Sequence, residues 1–196
     1  MRITAGYARG ILLNSPRGDA TRPATDAARL AIFSSLGDLV ENACVLDIFA
    51  GTGSYGLEAA SRGAKKVVLI ENSTQAYKAL KTNISLVKKS VEADISAIFS
   101  DCFKCSKILE QENFSLVFAD PPYSLLSNPD FSKKLFELFT TIAKAQTLFI
   151  LEAPAEFEIA PIDYAKIEIV KRLGKKSKGK PSQIIFSITP IQNDNE

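Results

Sequence analysis

The chain has 196 residues, a formal net charge of +2, 46% hydrophobic residues and 23% charged residues. These values are typical of one soluble globular unit that needs no disulfide or structural metal, and they exclude a disordered or fibrous chain. A membrane-spanning chain is excluded because no apolar run approaches the ~18 residues of a membrane span. The sequence contains no histidine, which excludes a Ser-His-Asp triad, a histidine general base and a histidine-ligated metal centre.

The first 40 residues predict a small extension ahead of the main domain. Its expected elements are two short strands at 3–5 and 11–13 that form a hairpin, a turn-rich linker at 14–23, and a helix from the N-cap Thr25 to Gly37. We therefore divide the chain into an extension, 1–40, and a main domain, 41–196.

Strands and helices alternate from residue 43 onward. The predicted strands are 44–49, 66–71, 93–100, 114–119 and 147–151, and helices follow the first four, one capped by Ser73 and one started by Asn128 and Pro129. The last two strands, 164–173 and 182–191, have no helix between them, which is typical of an antiparallel hairpin. The expected fold class is α/β: a doubly wound, mostly parallel Rossmann-like sheet with an antiparallel C-terminal hairpin.

A glycine-rich loop follows the first strand of this domain. Gly51, Gly53 and Gly56 fit the pattern G-x-G-x-x-G between a strand and a helix. Glu71 ends the next strand, which predicts a nucleotide-type ligand whose ribose hydroxyls bind Glu71. Asp47, shortly before the loop, would repel the pyrophosphate of a dinucleotide. The same carboxylate favours S-adenosylmethionine, which carries an ammonium and a sulfonium.

The motif Asp120-Pro121-Pro122-Tyr123 follows the fourth strand. Because ligands of open α/β sheets bind beyond the carboxyl ends of the strands, we expect this motif beside the glycine loop. The two prolines fix the backbone and remove N–H donors, which leaves rigid carbonyl acceptors. A carboxylate, a fixed carbonyl and an aromatic face together predict a receptor for a flat base with an exocyclic amine.

The three cysteines, Cys44, Cys102 and Cys105, form no even disulfide framework and indicate a reducing compartment, which we take to be the cytoplasm. Cys102 and Cys105 have the spacing of a redox or zinc motif, but zinc needs four ligands and the sequence offers neither a second pair nor a histidine. We therefore expect packing to explain this spacing, and no metal site.

Basic residues cluster near both ends of the chain. They are Arg2, Arg9, Arg17, Arg22 and Arg29 in the first 29 residues, and Lys171, Arg172, Lys175, Lys176, Lys178 and Lys180 near the C-terminus. Such clusters form either a surface that faces phosphates or an ordinary solvated face. The sequence alone leaves both interpretations open.

These motifs together resemble a known family. The pattern Asp47-x-Phe49-x-Gly51-x-Gly53, followed by Asp120-Pro-Pro-Tyr, is similar to class I methyltransferases that act on an exocyclic amine of a nucleobase. The stretches 2–10, 22–26 and 49–64 resemble the RsmD family of 16S rRNA guanine-N2 methyltransferases. The resemblance extends from Arg2 to about residue 151.

The resemblance implies a set of roles. The catalytic residues are Asp120, Pro121, Pro122 and Tyr123; the residues that bind S-adenosylmethionine are Asp47, Phe49, Gly51, Gly53, Glu71, Asp101 and Cys102; and the RNA-binding residues are Arg2, Arg9 and Arg22. It further implies that the extension contacts RNA, that 16S rRNA or the assembled small ribosomal subunit is the partner, and that a cytoplasmic monomer acts without a metal or a membrane.

Three other functions fit part of the sequence. A DNA adenine-N6 methyltransferase shares both loops, although a chain this short has no room for an appended DNA-recognition domain. A NAD-dependent oxidoreductase fits the glycine spacing but leaves Asp47 and the two prolines unexplained. A non-catalytic RNA-binding module fits the basic ends but gives the acidic residues no role.

Overall fold

The computed structural model describes residues 1–16, 26–174 and 177–191. The strands are β1 (Cys44–Ile48), β2 (Lys66–Glu71), β3 (Asp94–Phe99), β4 (Leu116–Ala119), β5 (Leu148–Pro154), β6 (Ala165–Gly174) and β7 (Pro181–Pro190). The α-helices are α1 (Asp26–Leu36), α2 (Ser54–Ser61), α3 (Thr74–Val87), α4 (Ser106–Leu109), α5 (Tyr123–Leu126) and α6 (Pro129–Ile142), with 3-10 turns at Gly37–Val40 and Cys102–Lys104. Outside the described residues lie most of the expected linker, the N-cap Thr25, Arg17, Arg22, Lys175 and Lys176.

The seven strands form one sheet in the order β3-β2-β1-β4-β5-β7-β6. Strands β1 to β5 run parallel, and β7 pairs antiparallel with both β5 and β6. The expected α/β fold, with a mostly parallel sheet and an antiparallel C-terminal hairpin, is confirmed.

Apolar side chains on both faces of the sheet form two cores. The strand β4 is buried at all four positions, with Phe118 in one core and Val117 in the other. The N-terminal segment, α1, α2 and α3 cover the first face, and α4, α5 and α6 cover the second. This burial on both sides explains why the parallel strands are nearly continuous apolar runs.

Local signals placed several helix ends correctly. The hydroxyl of Ser73 accepts a hydrogen bond from the N–H of Ala76 at the start of α3, and the side chain of Asn128 accepts from the first turn of α6. The helix expected over 102–109 divides into a 3-10 turn and α4. Its two parts bring Cys102 and Cys105 into the same core.

The N-terminal segment is less regular than expected. A single bridge joins Arg2 to Leu12, where the sequence predicts two paired strands. The segment packs on α2, because the main-chain N–H groups of Thr4 and Ala5 donate to the carboxylate of Glu58 over 2.8 and 3.1 Å. The two segments also pair with each other, because the N–H of Ile3 donates to the carbonyl of Ile11 and the N–H of Leu13 donates to the carbonyl of Met1, each over 3.0 Å.

Glu58 is fully buried in α2 and is balanced by two arginines. Its carboxylate lies 2.8 Å from Nε of Arg62 and 3.8 Å from Nε of Arg29, and Arg29 is itself fully buried. Breaking one side of such a buried charged group strongly destabilises a protein. This cluster therefore holds the N-terminal segment, α1 and α2 together.

No helix among residues 1–16, 26–174 and 177–191 is long and apolar enough to cross a membrane.

The contact between Gly6 and α2 gives the first prediction. Gly6 has φ of +81°, and a Cβ there would lie 1.8 Å from the carbonyl oxygen of Ser61. We expect Gly6→Ala to lower the free energy of unfolding by about 3 kcal/mol or more, because the backbone must move as well as adopt a strained conformation. Urea denaturation measures the change.

Gly10→Ala is the matched control. Gly10 has a similar φ of +89°, but a Cβ there would meet no atom within 4 Å. We expect this variant to lose only about 1 to 2 kcal/mol, the cost of the left-handed backbone alone. Equal losses for the two variants would show that the docking of Gly6 on α2 contributes nothing to stability.

Candidate active site

The topology brings the glycine loop and the Asp-Pro-Pro-Tyr loop to one place. Strand β1 lies between β2 and β4 and is parallel to both, so the chain leaves the sheet at the same edge after each strand. Loops that follow strands on either side of such a switch in strand order form the ligand crevice of open α/β sheets. The two sequence motifs therefore face each other across this crevice.

The glycine loop is held by Glu71. The two oxygens of this carboxylate accept hydrogen bonds from the N–H of Gly51 over 2.7 Å and the N–H of Ser73 over 2.6 Å. Gly53 starts α2 with φ of +85°, and a Cβ there would lie 2.6 Å from a methyl group of Leu80. Glu71 thus holds the glycine loop at the end of β2. This role is in addition to its predicted contact with ribose hydroxyls.

Asp47 lies at the carboxyl end of β1 and is 1% exposed. Its Oδ2 accepts a hydrogen bond from the N–H of Gly56 over 2.9 Å, in the first turn of α2. Burial, together with the charge of Glu71, raises the pKa of Asp47 to about 7 in spite of that hydrogen bond. A positive ligand charge in the crevice would favour the ionised form of Asp47.

Asp120 follows β4 and is only partly exposed. Burial, followed by the charges of Glu152 and Asp47, raises its pKa well above the ordinary value of a carboxyl. Since Ala119 of β4 pairs with Ile48 of β1, Asp120 follows β4 at the end of the sheet where Asp47 lies. Asp120 accepts no hydrogen bond from the part of the chain that the structure describes, so its oxygens remain available to a ligand.

The residues after Asp120 differ in what they offer. The carbonyl of Pro122 accepts hydrogen bonds from the N–H of Leu125 and of Leu126, at the start of α5. The carbonyl of Pro121 accepts no hydrogen bond from the described residues. Tyr123 is half-buried and is the first residue of α5.

Sequence reasoning missed a group of three polar residues at the end of β5, formed by Glu152 with Tyr55 and Gln183. The hydroxyl of Tyr55 donates to Oε2 of Glu152 over 2.6 Å, and the amide of Gln183 donates to the same oxygen over 3.3 Å. The ring of Tyr55 stacks on Phe118 at 5.3 Å between centroids. One signal was present in the sequence: a carboxylate at position 152 directly follows the apolar run of β5.

Four carboxylates therefore gather at this edge of the sheet. They are Asp47, Glu71, Asp120 and Glu152. The described lysines and arginines form their ion pairs elsewhere, with Asp26, Glu58, Glu112 and Glu158. Negative charge in the crevice thus lacks a positive partner from those parts of the chain, which makes the site complementary to a cationic ligand.

The other expected cofactor residues surround the crevice. Phe49 has φ of +62°, rare for a bulky residue, and its ring lies 5.9 Å from that of Phe131. Asp101 uses a side-chain oxygen to accept from the N–H of Phe103 over 3.0 Å. The side chain of Cys102 is buried in the second core.

Cys102 and Cys105 pack in the second core. Both side chains are buried and free of disulfides, and burial raises the pKa of Cys102 to about 12, which keeps its thiol protonated. Within the described ranges no group of three or more cysteine, aspartate or glutamate side chains is arranged to hold a metal ion. Packing explains the spacing of the two cysteines.

Two of the three expected RNA-binding arginines, Arg2 and Arg9, are exposed on the N-terminal segment. Arg2 forms an ion pair of 3.6 Å with Asp26, and Arg22 lies outside the described residues. The N-terminal segment reaches the glycine loop, because the amide of the buried Asn83 donates to the carbonyls of Asn14 and Thr52 over 3.0 and 2.9 Å.

Comparison with known proteins gives a consistent result. A family model described as Conserved hypothetical protein 95 matches residues 1–182. Ribosomal RNA small subunit methyltransferase D of Haemophilus influenzae is 35% identical over 123 residues, which cover 63% of this chain and 64% of that protein. The Escherichia coli K12 protein of the same name is 33% identical over 125 residues, which cover 63% and 60%.

Solved structures share the whole fold. The Escherichia coli protein yhhF, described as a candidate methyltransferase, superposes with a TM-score of 0.71 at 25% identity and covers 95% of this chain and 96% of its own. A Haemophilus influenzae protein, described as a candidate methylase, gives a TM-score of 0.67 at 26% identity and covers 94% and 96%. The sheet described above is therefore the Rossmann-like methyltransferase sheet.

The buried charge of Asp47 gives a prediction about pH. Its pKa is about 7 in the folded protein and 3.8 in a model peptide, so the folded state binds the proton more tightly. The stability that this proton provides is complete below about pH 4 and is lost as the pH rises toward about 7. We expect Asp47→Asn, which keeps an acceptor for Gly56, to exceed the unmodified protein in free energy of unfolding by about 2 to 4 kcal/mol at about pH 8.

Urea denaturation from about pH 4 to pH 8 measures this difference, which must shrink toward zero at the acid end. An equal slope of stability against pH in the two proteins would contradict the assigned burial of charge at Asp47.

Proposed function

The chain belongs to the RsmD family, and from this membership we propose that it transfers a methyl group from S-adenosylmethionine to the exocyclic N2 amine of a guanine in 16S rRNA. The observation that carries the proposal is the crevice in which Asp47 and Asp120 lie together without a positive partner among the described residues. The experiment that tests it is methyl transfer to small ribosomal subunits that lack the modification.

The residues of the crevice fit S-adenosylmethionine. When bound, this cofactor supplies a methyl group carried on a positively charged sulfonium. Asp47 would stabilise that charge and the ammonium group, and the cation would in turn favour the ionised form of Asp47. Glu71, at the end of β2, would bind the ribose hydroxyls, and Phe49 and Asp101 would flank the remainder of the nucleoside.

The same charges argue against a dinucleotide. A pyrophosphate at the glycine loop would carry its two negative charges toward Asp47, which is buried and already raised in pKa by the charge of Glu71. Like charges in a partly buried site repel by several kcal/mol at about 4 Å. The glycine spacing alone therefore does not favour NAD in this chain.

Asp120 and the carbonyl of Pro121 would accept hydrogen bonds from the two N–H groups of the target amine. The lone pair of a guanine N2 is delocalised into the ring, and these acceptors favour the pyramidal geometry in which it is localised on nitrogen. Positive charge develops on that nitrogen as the N–CH₃ bond forms, so a fixed anion stabilises the transition state more than the ground state. The raised pKa of Asp120 also suits it to take the proton that the nitrogen then loses.

The target base has to leave its helix or loop to reach this crevice, since N2 of a stacked base cannot approach Asp120. Tyr123, half-buried beside Asp120, would stack on the extruded base and contribute about 1 to 3 kcal/mol. Exposed arginines such as Arg2 and Arg9 would contact phosphates of the RNA. Single-stranded segments of rRNA offer unstacked bases at low cost.

The test of the proposed function has two parts. Calorimetric titration with S-adenosylmethionine and with NAD identifies the cofactor, and we expect binding of the first alone. Incubation with labelled S-adenosylmethionine and undermethylated 30S subunits, followed by mass spectrometry of the nucleosides, identifies the product as N2-methylguanosine. Label on the N6 of adenine, or no label with full cofactor binding, would overturn the proposal.

Removal of the catalytic carboxylate separates binding from transfer. We expect Asp120→Ala to reduce the rate of methyl transfer by at least about a thousandfold, since it removes the anion aimed at the reacting nitrogen. The affinity for S-adenosylmethionine, measured by calorimetry, should stay within a few fold.

Asp163→Ala is the control for this variant. Asp163 is exposed near the start of β6, at the opposite edge of the sheet, and its removal should change neither quantity. If Asp120→Ala lost cofactor affinity and transfer together, Asp120 would have a structural or cofactor-binding role instead of the catalytic one.

A further inference from the structure

Glu152 lies directly beside Asp120 in the sheet. The parallel register of β4 and β5 pairs Ala119 with Leu151. Asp120 and Glu152 are the next residues after this pair. Neighbouring strands are about 4.8 Å apart, so the two side chains emerge side by side. Burial is the largest cause of the raised pKa of Asp120, and the charge of Glu152 is the next largest. The effect of Glu152 agrees with this placement.

One oxygen of Glu152 is fixed and the other is not. Oε2 accepts hydrogen bonds from the hydroxyl of Tyr55 over 2.6 Å and from the amide of Gln183 over 3.3 Å. Oε1 accepts no hydrogen bond from the residues that the structure describes. It is also not one of the described polar atoms that are fully buried without a hydrogen-bond partner. The carboxylate is therefore held through Oε2, and Oε1 is left as an acceptor without a partner among the described residues.

Two neighbouring acceptors distinguish guanine from adenine. The pairing edge of guanine presents the N1–H and the N2 amine, two adjacent donors. The pairing edge of adenine presents the N6 amine beside N1, which is an acceptor. A carboxylate opposite N1 of adenine would leave two acceptors facing each other, and unpaired polar groups in a buried site cost binding energy.

We propose that Glu152 determines specificity for guanine by accepting a hydrogen bond from N1–H through Oε1, while Asp120 accepts from the N2 amine. Tyr55 and Gln183 are positioning residues that hold Glu152 in place for this contact. The inference rests on the proposed function, because it concerns how the same site selects its base.

The base analogue 2-aminopurine tests this contact. It keeps the exocyclic amine at position 2 and lacks the proton on N1. The methylated guanine is first mapped by mass spectrometry in 16S rRNA, and subunits are then reconstituted with 2-aminopurine at that position. The unmodified enzyme should prefer guanine by about a hundredfold or more in kcat/KM, since a site built for an N–H strongly rejects a base that lacks it.

Glu152→Gln should remove this preference. We expect kcat/KM on guanine to fall about tenfold or more, and the ratio between guanine and 2-aminopurine to fall to within a few fold, because the amide can turn its NH₂ toward the N1 lone pair. The affinity for S-adenosylmethionine should change less than threefold. Glu92→Gln, on the exposed surface, is the matched control and should leave all three quantities unchanged.

Tyr55→Phe tests the same contact without removing the carboxylate. It deletes the 2.6 Å hydrogen bond to Glu152 and should lower the preference for guanine over 2-aminopurine by about tenfold. This variant keeps the proposal testable if Glu152→Gln does not fold.

Two results would overturn the proposed role of Glu152 without affecting the proposed function of the protein. One is an unchanged preference for guanine in a folded Glu152→Gln enzyme. The other is a loss of cofactor affinity of more than tenfold with the preference intact, which would make Glu152 a ligand of the cofactor ammonium. Absence of methyl transfer by the unmodified enzyme would instead refute the proposed function.

Discussion

The structure depends on carboxylates gathered at one edge of a sheet without a positive partner from the described residues. Backbone and side-chain donors offset part of the cost: Glu71 is bonded by Gly51 and Ser73, and Glu152 by Tyr55. The part of the cost that is not offset raises the pKa values of Asp47 and Asp120, and burial is the largest cause in both. A protein keeps such a site when a cation completes it, and S-adenosylmethionine is a cation of that kind.

The rest of the fold holds this edge rigid. Because β1 pairs in parallel with β4, the loops after these two strands begin side by side. Asn83 bonds both the glycine loop and the chain at Asn14, and Glu58 bonds the segment around Thr4. The N-terminal segment, which we expect to contact RNA, is thus connected through hydrogen bonds to the loop that we expect to bind the cofactor.

The loops could be predicted from sequence because their chemistry is local. The glycines, Asp47 and the Asp-Pro-Pro-Tyr motif lie next to strands whose apolar runs are plain, and parallel strands bring their carboxyl ends together. Glu152 could not be predicted in this way. It extends β5 beyond its apolar run, and its partners come from two other elements: β7, which sets Gln183 opposite Glu152, and α2, which supplies the hydroxyl of Tyr55. The N-terminal hairpin is shorter than expected, since the main-chain N–H groups of Thr4 and Ala5 bond Glu58 of α2.

The proton balance of cofactor binding tests this account most directly. Calorimetry of S-adenosylmethionine binding near neutral pH, repeated in buffers of different ionisation enthalpy, counts the protons exchanged. A cation that enters beside Asp47 must lower the raised pKa of that carboxyl, so the account predicts net release of protons, reduced in Asp47→Asn. Binding with no proton release, or with uptake, would contradict it.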